Sequence, residues 1–134
     1  MILVDAGPLI ALLLRDEAQH GTCVRTLESL DEPLVTVWPA VTEAAYMVRG
    51  ASVARDALLG WVEDGILGLA ALGAGDMPRV RELLRKYADL PMDFADAALV
   101  AVAEREGIRT VFTLDRRDFE LYRPRKLGRF RIVP

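Results

Sequence analysis

A chain of 134 residues, 52% hydrophobic and 28% charged, has the size and composition of one folded domain, which excludes a disordered protein. Its single cysteine, Cys23, excludes an intramolecular disulfide and a metal site built from several thiolates. The formal net charge of −3 argues against strong long-range attraction to nucleic acid by the chain as a whole. No stretch of the sequence is typical of a signal peptide or a membrane span, so we expect one domain over residues 1–134, in the cytoplasm, with no membrane partner.

The charge is distributed unevenly along the chain. Residues 116–134 contain seven Lys or Arg and two acids, whereas residues 1–115 contain ten bases and eighteen acids. A basic tail of this kind can bind phosphate groups, or it can simply keep a terminal strand in contact with solvent.

The first half of the chain alternates between predicted strands and helices. Residues 2–4 form an aliphatic run, typical of a strand buried on both faces of a parallel sheet. Helices are expected over residues 9–14, after the turn at Pro8, and over about 17–30. A strand over 34–37 comes next, and Trp38-Pro39 begins a helix that we expect to pack inward and that carries Glu43.

The alternation continues in the second half, with a helix over 53–62, a strand over 66–69 and a helix over 77–87. Residues 93–106 are apolar on nearly all sides, which predicts a helix buried within the domain and ended by Gly107. A strand over 110–112, a helical stub over 115–119 and a possible edge strand over 130–133 complete the chain. This pattern predicts an α/β fold with a mainly parallel central sheet flanked by helices on both faces.

Acidic residues recur where such a fold binds ligands. Asp5 directly follows the first strand and Asp115 lies just beyond the fourth, at the carboxyl ends where open α/β sheets form their sites. Asp93 and Asp96 share one face of the first turn of the buried helix, and Glu43 lies in the second turn of another helix. Carboxylates crowded together repel one another unless a hard cation neutralises them, so the cluster predicts Mg²⁺, or Mn²⁺ in its place.

Each acid also has an ordinary structural interpretation. Asp5, Asp93 and Asp115 each precede a helix and can cap it, and Glu43 can be an exposed surface residue. Taken together, the acids suit two metal ions about 4 Å apart that promote in-line displacement at a phosphodiester. Little other catalytic machinery is present, because His20 is expected at the surface and Cys23 in the core.

Four segments in this order resemble the motifs of the PIN-domain family, especially the toxin ribonucleases of VapBC toxin–antitoxin pairs. Residues 2–10 resemble the first motif, an apolar strand, an acid and a small-residue turn into a helix, and residues 38–43 resemble the second. Residues 93–101 resemble the third motif, in which Asp96 matches the acid and Asp93 is a cap or an outer neighbour. Residues 113–119 resemble the fourth, with Thr113 as a hydrogen-bonding neighbour and Asp115 competing with Asp118 for the position of the acid.

The resemblance implies a three-layer α/β sandwich, magnesium-dependent endoribonuclease activity, an RNA substrate, a small antitoxin partner and frequent homodimers. The resemblance also implies that four residues both bind the metal and take part in catalysis: Asp5, Glu43, Asp96 and Asp115. Arg116 and Arg117, at the start of the basic tail, are the candidates for contacts with RNA phosphates. Two alternatives remain open: a housekeeping PIN nuclease in RNA processing, and a non-catalytic module that binds a metal or a partner.

Overall fold

A computed structural model describes all residues from 1 to 134 and contains a five-stranded, entirely parallel sheet within a three-layer α/β sandwich. The strands are β1 (Ile2–Val4), β2 (Leu34–Thr36), β3 (Leu67–Leu69), β4 (Thr110–Phe112) and β5 (Arg131–Val133). The helices are α1 (Ala6–Leu13), α2 (His20–Glu28), α3 (Trp38–Met47), α4 (Ser52–Glu63), α5 (Met77–Lys86), α6 (Phe94–Glu106) and α7 (Arg116–Leu121). A short 3₁₀ turn, Ala74–Asp76, precedes α5. The predicted fold class is confirmed.

The order of the strands in the sheet is β3-β2-β1-β4-β5. The chain builds the sheet from β1 outward to β3 and then returns to place β4 and β5 on the other side of β1. Strand order therefore reverses between β1 and β4, which pair in parallel from Ile2 opposite Thr110 to Val4 opposite Phe112. In open parallel sheets the crevice for ligands lies at this reversal, outside the carboxyl ends of the two strands.

The central strands and α6 form the middle of the core. Every residue of β1 and β4 is buried, as expected for strands covered by helices on both faces. In α6 every residue from Ala95 to Ala103 is buried, which confirms the helix predicted to lie inside the domain. Gly107 ends it with a φ of 71°, a left-handed conformation that costs glycine little.

Several element boundaries differ from the sequence prediction. Helix α1 begins at Ala6 and not at residue 9, because the side chain of Asp5 caps its first N–H group. Helix α2 is shorter than predicted: it begins at His20, and the residues before it, 15–19, form turns and a bend. Cys23 is fully buried on α2, as its helical spacing indicated, and the predicted edge strand is β5, which pairs with β4. No helix in the chain has both the length and the apolar character needed to cross a lipid bilayer.

A candidate metal-dependent active site

Asp5 lies at the point where strand order reverses and is almost completely buried. Its Oδ1 accepts the N–H of Ala6 at 2.8 Å, so Asp5 is the N-cap of α1. Its Oδ2 accepts the hydroxyl of Thr113, also at 2.8 Å. Capping α1 and belonging to the candidate site are therefore compatible roles for Asp5, because one carboxylate oxygen caps the helix and the other faces the end of β4.

Thr113 connects the two strand ends that flank the crevice. Besides donating its hydroxyl to Asp5, it accepts the backbone N–H of Asp115 at 3.0 Å. This one side chain fixes the turn after β4 relative to the turn after β1. Thr113 therefore lies where a hydrogen-bonding neighbour of Asp5 was expected.

Asp96 and Asp93 form a reciprocal capping box at the start of α6. The N–H of Asp96 donates to Asp93 Oδ1 at 2.8 Å, and the N–H of Asp93 donates to Asp96 Oδ2 at 3.3 Å. Asp93 is exposed and Asp96 is buried, so Asp93 is the cap that the sequence suggested, while Asp96 is directed inward.

Tyr122 is a site residue that the sequence did not reveal. Its hydroxyl donates to Asp96 Oδ2 at 3.3 Å, and its ring is completely buried against Tyr87 and Phe119. The residue follows α7, outside the four motif segments, and its contact with Asp96 depends on the tertiary fold that brings the end of α7 to the start of α6. The only available signal was an aromatic residue close after Phe119, which is indistinguishable from an ordinary core position.

Glu43 and Asp115 are more exposed than Asp5 and Asp96. Helix α3 packs inward through Ala40, Val41 and Ala44, whereas Glu43 is exposed and lines an open groove. Asp115 stands at the N-cap position of α7 but makes no side-chain cap bond, so its carboxylate is not used by the helix.

Burial and mutual repulsion shift the protonation of the whole cluster. The pKa of Asp5 is raised to about 6, mainly by burial, with smaller contributions from the charges of Asp115 and Glu43 and against the lowering effect of its two hydrogen bonds. Burial, together with Asp93 and Asp5, raises the pKa of Asp96 to about 7. Desolvation also raises the pKa of Glu43 and of Asp115, and Asp93 adds to both shifts. The acids therefore form one electrostatic cluster.

Asp118 acts on the cluster through Asp115. Its charge raises the pKa of Asp115 and of Tyr122.

No basic side chain neutralises the cluster. None of the seven salt bridges in the molecule involves Asp5, Glu43, Asp96 or Asp115. The donor set consists of carboxylate oxygens, which suits a hard divalent cation. No three Asp, Glu, His or Cys side chains lie close enough to hold an ion together. The set still fits Mg²⁺, because this ion retains several water molecules and usually takes only one or two carboxylates directly.

The two basic candidates differ in their surroundings. Arg116 pairs with Glu120 at 3.2 Å and donates to the carbonyl of Ile132 at 3.1 Å and to that of Pro134. It therefore ties α7 to the C-terminal strand. Arg117, its neighbour, is exposed beside the turn that carries Asp115.

Comparison with known proteins identifies the family of this chain. The sequence model of the PIN-domain family matches residues 2–124. Over 99% of its length the chain is 33% identical to Ribonuclease VapC26 of Mycobacterium tuberculosis, and the match covers 100% of that protein.

Two solved structures share the fold. The first is VapC20 of Mycobacterium tuberculosis, described as a toxin that cleaves the sarcin-ricin loop. It superimposes with a TM-score of 0.77 at 21% identity, over 83% of this chain and 87% of that one. The second, a toxin–antitoxin complex from Klebsiella pneumoniae, gives a TM-score of 0.71 at 13% identity, over 100% and 97% of the two chains. The family model over residues 2–124 and the 33% identity to a ribonuclease over nearly the whole chain establish that the chain belongs to the PIN-domain family.

Proposed function

We propose that this protein is a metal-dependent endoribonuclease that acts as the toxin of a toxin–antitoxin pair. The observation that carries the proposal is the uncompensated cluster of Asp5, Asp96, Glu43 and Asp115 at the reversal of strand order. The family match and the ribonuclease to which the chain is 33% identical support RNA as the substrate. We place the activity within one domain, residues 1–134, in the cytoplasm.

Mg²⁺ is the cation we propose, with Mn²⁺ able to replace it. Asp5 and Asp96 are the buried ligands, and Glu43 and Asp115 complete the set from more exposed positions. Bound divalent cations would lower the pKa of the attacking water and stabilise negative charge on the phosphate. The protein itself contributes orientation: Thr113 holds Asp5, and Tyr122 together with the N–H of Asp93 holds Asp96.

Further features of the proposal concern the surroundings of the site. We assign Asp115 and not Asp118 as the fourth acid, because Asp115 influences the pKa of both Asp5 and Asp96. Arg117 is the stronger candidate for an RNA phosphate contact, since Arg116 already has partners at the C-terminal strand. The partners we propose are RNA, a small antitoxin and a second copy of the chain.

Cleavage of total cellular RNA by the purified protein, with Mg²⁺ or with EDTA, tests the activity. Asp5→Asn and Asp96→Asn should abolish metal-dependent cleavage while the protein stays folded. Asp89→Asn, which removes an exposed carboxylate outside the cluster, is the matched control and should cleave like the parent. A parent protein that cuts no RNA with either metal would contradict the function, and active Asp5 and Asp96 variants would contradict the site.

Two further measurements address the remaining parts of the proposal. Calorimetric titration with Mn²⁺ separates a metal enzyme from a module without metal, because the latter would show no binding at millimolar concentration. Growth arrest on expression, relieved by co-expressing a short neighbouring reading frame, tests the toxin role. Light scattering of the purified protein tests the homodimer.

A further inference from the structure

Three large aromatic side chains stand exposed in one groove beside the carboxylates. Trp38 is 53% exposed, Tyr46 61% and Phe94 46%. The groove has a volume of about 760 Å³, within the range of small-ligand sites, and Glu43 and Asp93 also line it. Single exposed aromatic residues are common on protein surfaces, whereas several in one concave patch usually mark a binding surface.

The aromatic residues and the acids come from the same two segments. Trp38 is the first residue of α3, Tyr46 lies about two turns further on, and Glu43 lies between them. Phe94 is the first residue of α6, directly after Asp93, and α6 packs against α3. A ligand in this groove is therefore adjacent to the carboxylate cluster.

Tyr46 has a positive charge held against its ring. The guanidinium of Arg49 lies over the ring, 3.9 Å from its centroid, and donates to the carbonyl of Tyr46 at 2.9 Å. An arginine stacked in this way stabilises the orientation of the ring. It also places a cation beside the groove, within the part of the chain where acids outnumber bases.

We propose that the groove formed by Trp38, Tyr46 and Phe94, here called the aromatic groove, binds unpaired bases of single-stranded RNA next to the phosphodiester that is cleaved. The proposal rests on the ribonuclease function proposed above. Unstacked bases of loops and ends stack on aromatic side chains, and each such contact tolerates any base because every base has a flat face. Arg49 supplies the positive charge that a neighbouring phosphate requires.

A nucleic acid occupant is favoured over a protein segment by position. The groove combines three flat rings with a wall that carries Glu43, and Arg49 stands over the ring of Tyr46 at its edge. A base that stacks in the aromatic groove therefore lies next to the acids of the proposed nuclease site.

Binding by metal-free protein, in which cleavage cannot proceed, tests this inference directly. The probes are a fluorescently labelled oligoadenylate about 12 nucleotides long and an oligonucleotide of the same length with abasic positions. Trp38→Ala and Tyr46→Ala should each weaken binding of the oligoadenylate roughly 5- to 100-fold, the range for loss of one stacked base. Trp38→Phe and Tyr46→Phe should retain most of the affinity, since they keep a flat ring.

The abasic probe and a control variant sharpen the test. The parent should bind the abasic probe more weakly than the oligoadenylate, and the Ala variants should show little further loss. Leu59→Ala removes an exposed apolar side chain outside the aromatic groove and should bind like the parent. With metal present, the Ala variants should raise KM for single-stranded RNA far more than they lower kcat.

Four results would overturn the inference. Base stacking would be excluded if the Ala variants bound and cleaved RNA like Leu59→Ala, or if the parent bound both probes equally. Either result would leave the nuclease function intact. Ala variants that cleave normally but lose dimerisation or neutralisation by an antitoxin would make the groove a protein-docking surface instead. A parent that neither binds nor cleaves RNA would remove the proposed function and the inference together.

Discussion

The hydroxyl of Tyr122 donates to Oδ2 of Asp96 over 3.3 Å, although the two residues are 26 positions apart in the chain. The tyrosine ring is fixed between Tyr87 and Phe119, each with its centroid 5.1 Å away. A rigid aromatic cluster therefore sets the orientation of one acid of the site. Such outer contacts commonly determine how well a ligand binds its metal.

Tyr122→Phe should weaken Mn²⁺ binding by about 10-fold or more, the usual effect of removing an outer hydrogen bond to a metal ligand. The variant keeps the buried ring, and Asp96 Oδ2 retains the N–H of Asp93, so the free energy of unfolding should change by about 1 kcal/mol or less. Calorimetric titration and urea unfolding measure the two quantities. Unchanged metal affinity in a folded variant would show that Tyr122 only fills the core.

Thr113→Val should destabilise the protein by about 1–3 kcal/mol, because it removes the partner of Asp5 Oδ2 and of the N–H of Asp115 in one substitution. It should also reduce the rate of RNA cleavage, since the turns after β1 and β4 lose their connection. Thr113→Ser restores the hydroxyl and should recover both properties. Equal behaviour of the Val and Ser variants would contradict the bridging role.

The stability of the metal-free protein should decrease as the pH rises. Burial raises the pKa of Asp5 to about 6 and of Asp96 to about 7, both above the value of 3.8 for an unperturbed Asp. The folded protein therefore holds these protons more tightly than the unfolded chain does. The resulting stabilisation is complete below about pH 4 and is lost as the pH rises through 6 and 7.

Urea unfolding in EDTA between about pH 5 and pH 8 should show a fall of a few kcal/mol in the free energy of unfolding. The double variant with Asp5→Asn and Asp96→Asn has no such protons and should show a much flatter profile. Affinity for Mn²⁺ should rise over the same interval, because protons compete with the metal. A parent profile as flat as that of the double variant would refute the shifted pKa values.

Asp115→Asn should lower the rate of RNA cleavage much more than Asp118→Asn. Asp115 interacts electrostatically with Asp5 and Asp96, whereas Asp118 affects mainly Asp115 and Tyr122. Single-turnover cleavage at saturating Mg²⁺ compares the two variants, and matching circular dichroism spectra serve as the folding control. The reverse order of rates would assign the fourth acid to Asp118.

Arg117→Ala should make the plot of log K for RNA binding against log salt concentration less steep, by a slope of about one, as expected for one lost phosphate contact. Arg116→Ala should instead lower stability, because it releases α7 from the carbonyls of the C-terminal strand. Binding measured at several salt concentrations separates the two effects. An identical salt dependence in Arg117→Ala and the parent would exclude the contact.

The sequence alone determined the architecture and the family. The aliphatic runs of β1 and β4, the Ala-rich α6 and its Gly107 end are local patterns whose physical basis is burial on all sides, and these elements were predicted correctly. The expectation that Asp5 and Asp115 lie at the carboxyl ends of strands also followed from a general rule for parallel sheets, and the structure places these strands, β1 and β4, next to each other.

The tertiary structure decided what each side chain contacts. The sequence could not place Tyr122 on Asp96 or Trp38 near Phe94, because these contacts depend on how helices far apart in sequence pack together. The same limit left the exposure of Glu43 open: helical periodicity shows which face of α3 is apolar, but a small rotation of the helix moves an edge residue from the core to the groove. Local sequence patterns predict secondary structure and fold class, whereas the order of the strands and the orientation of individual side chains depend on the packing of the whole domain.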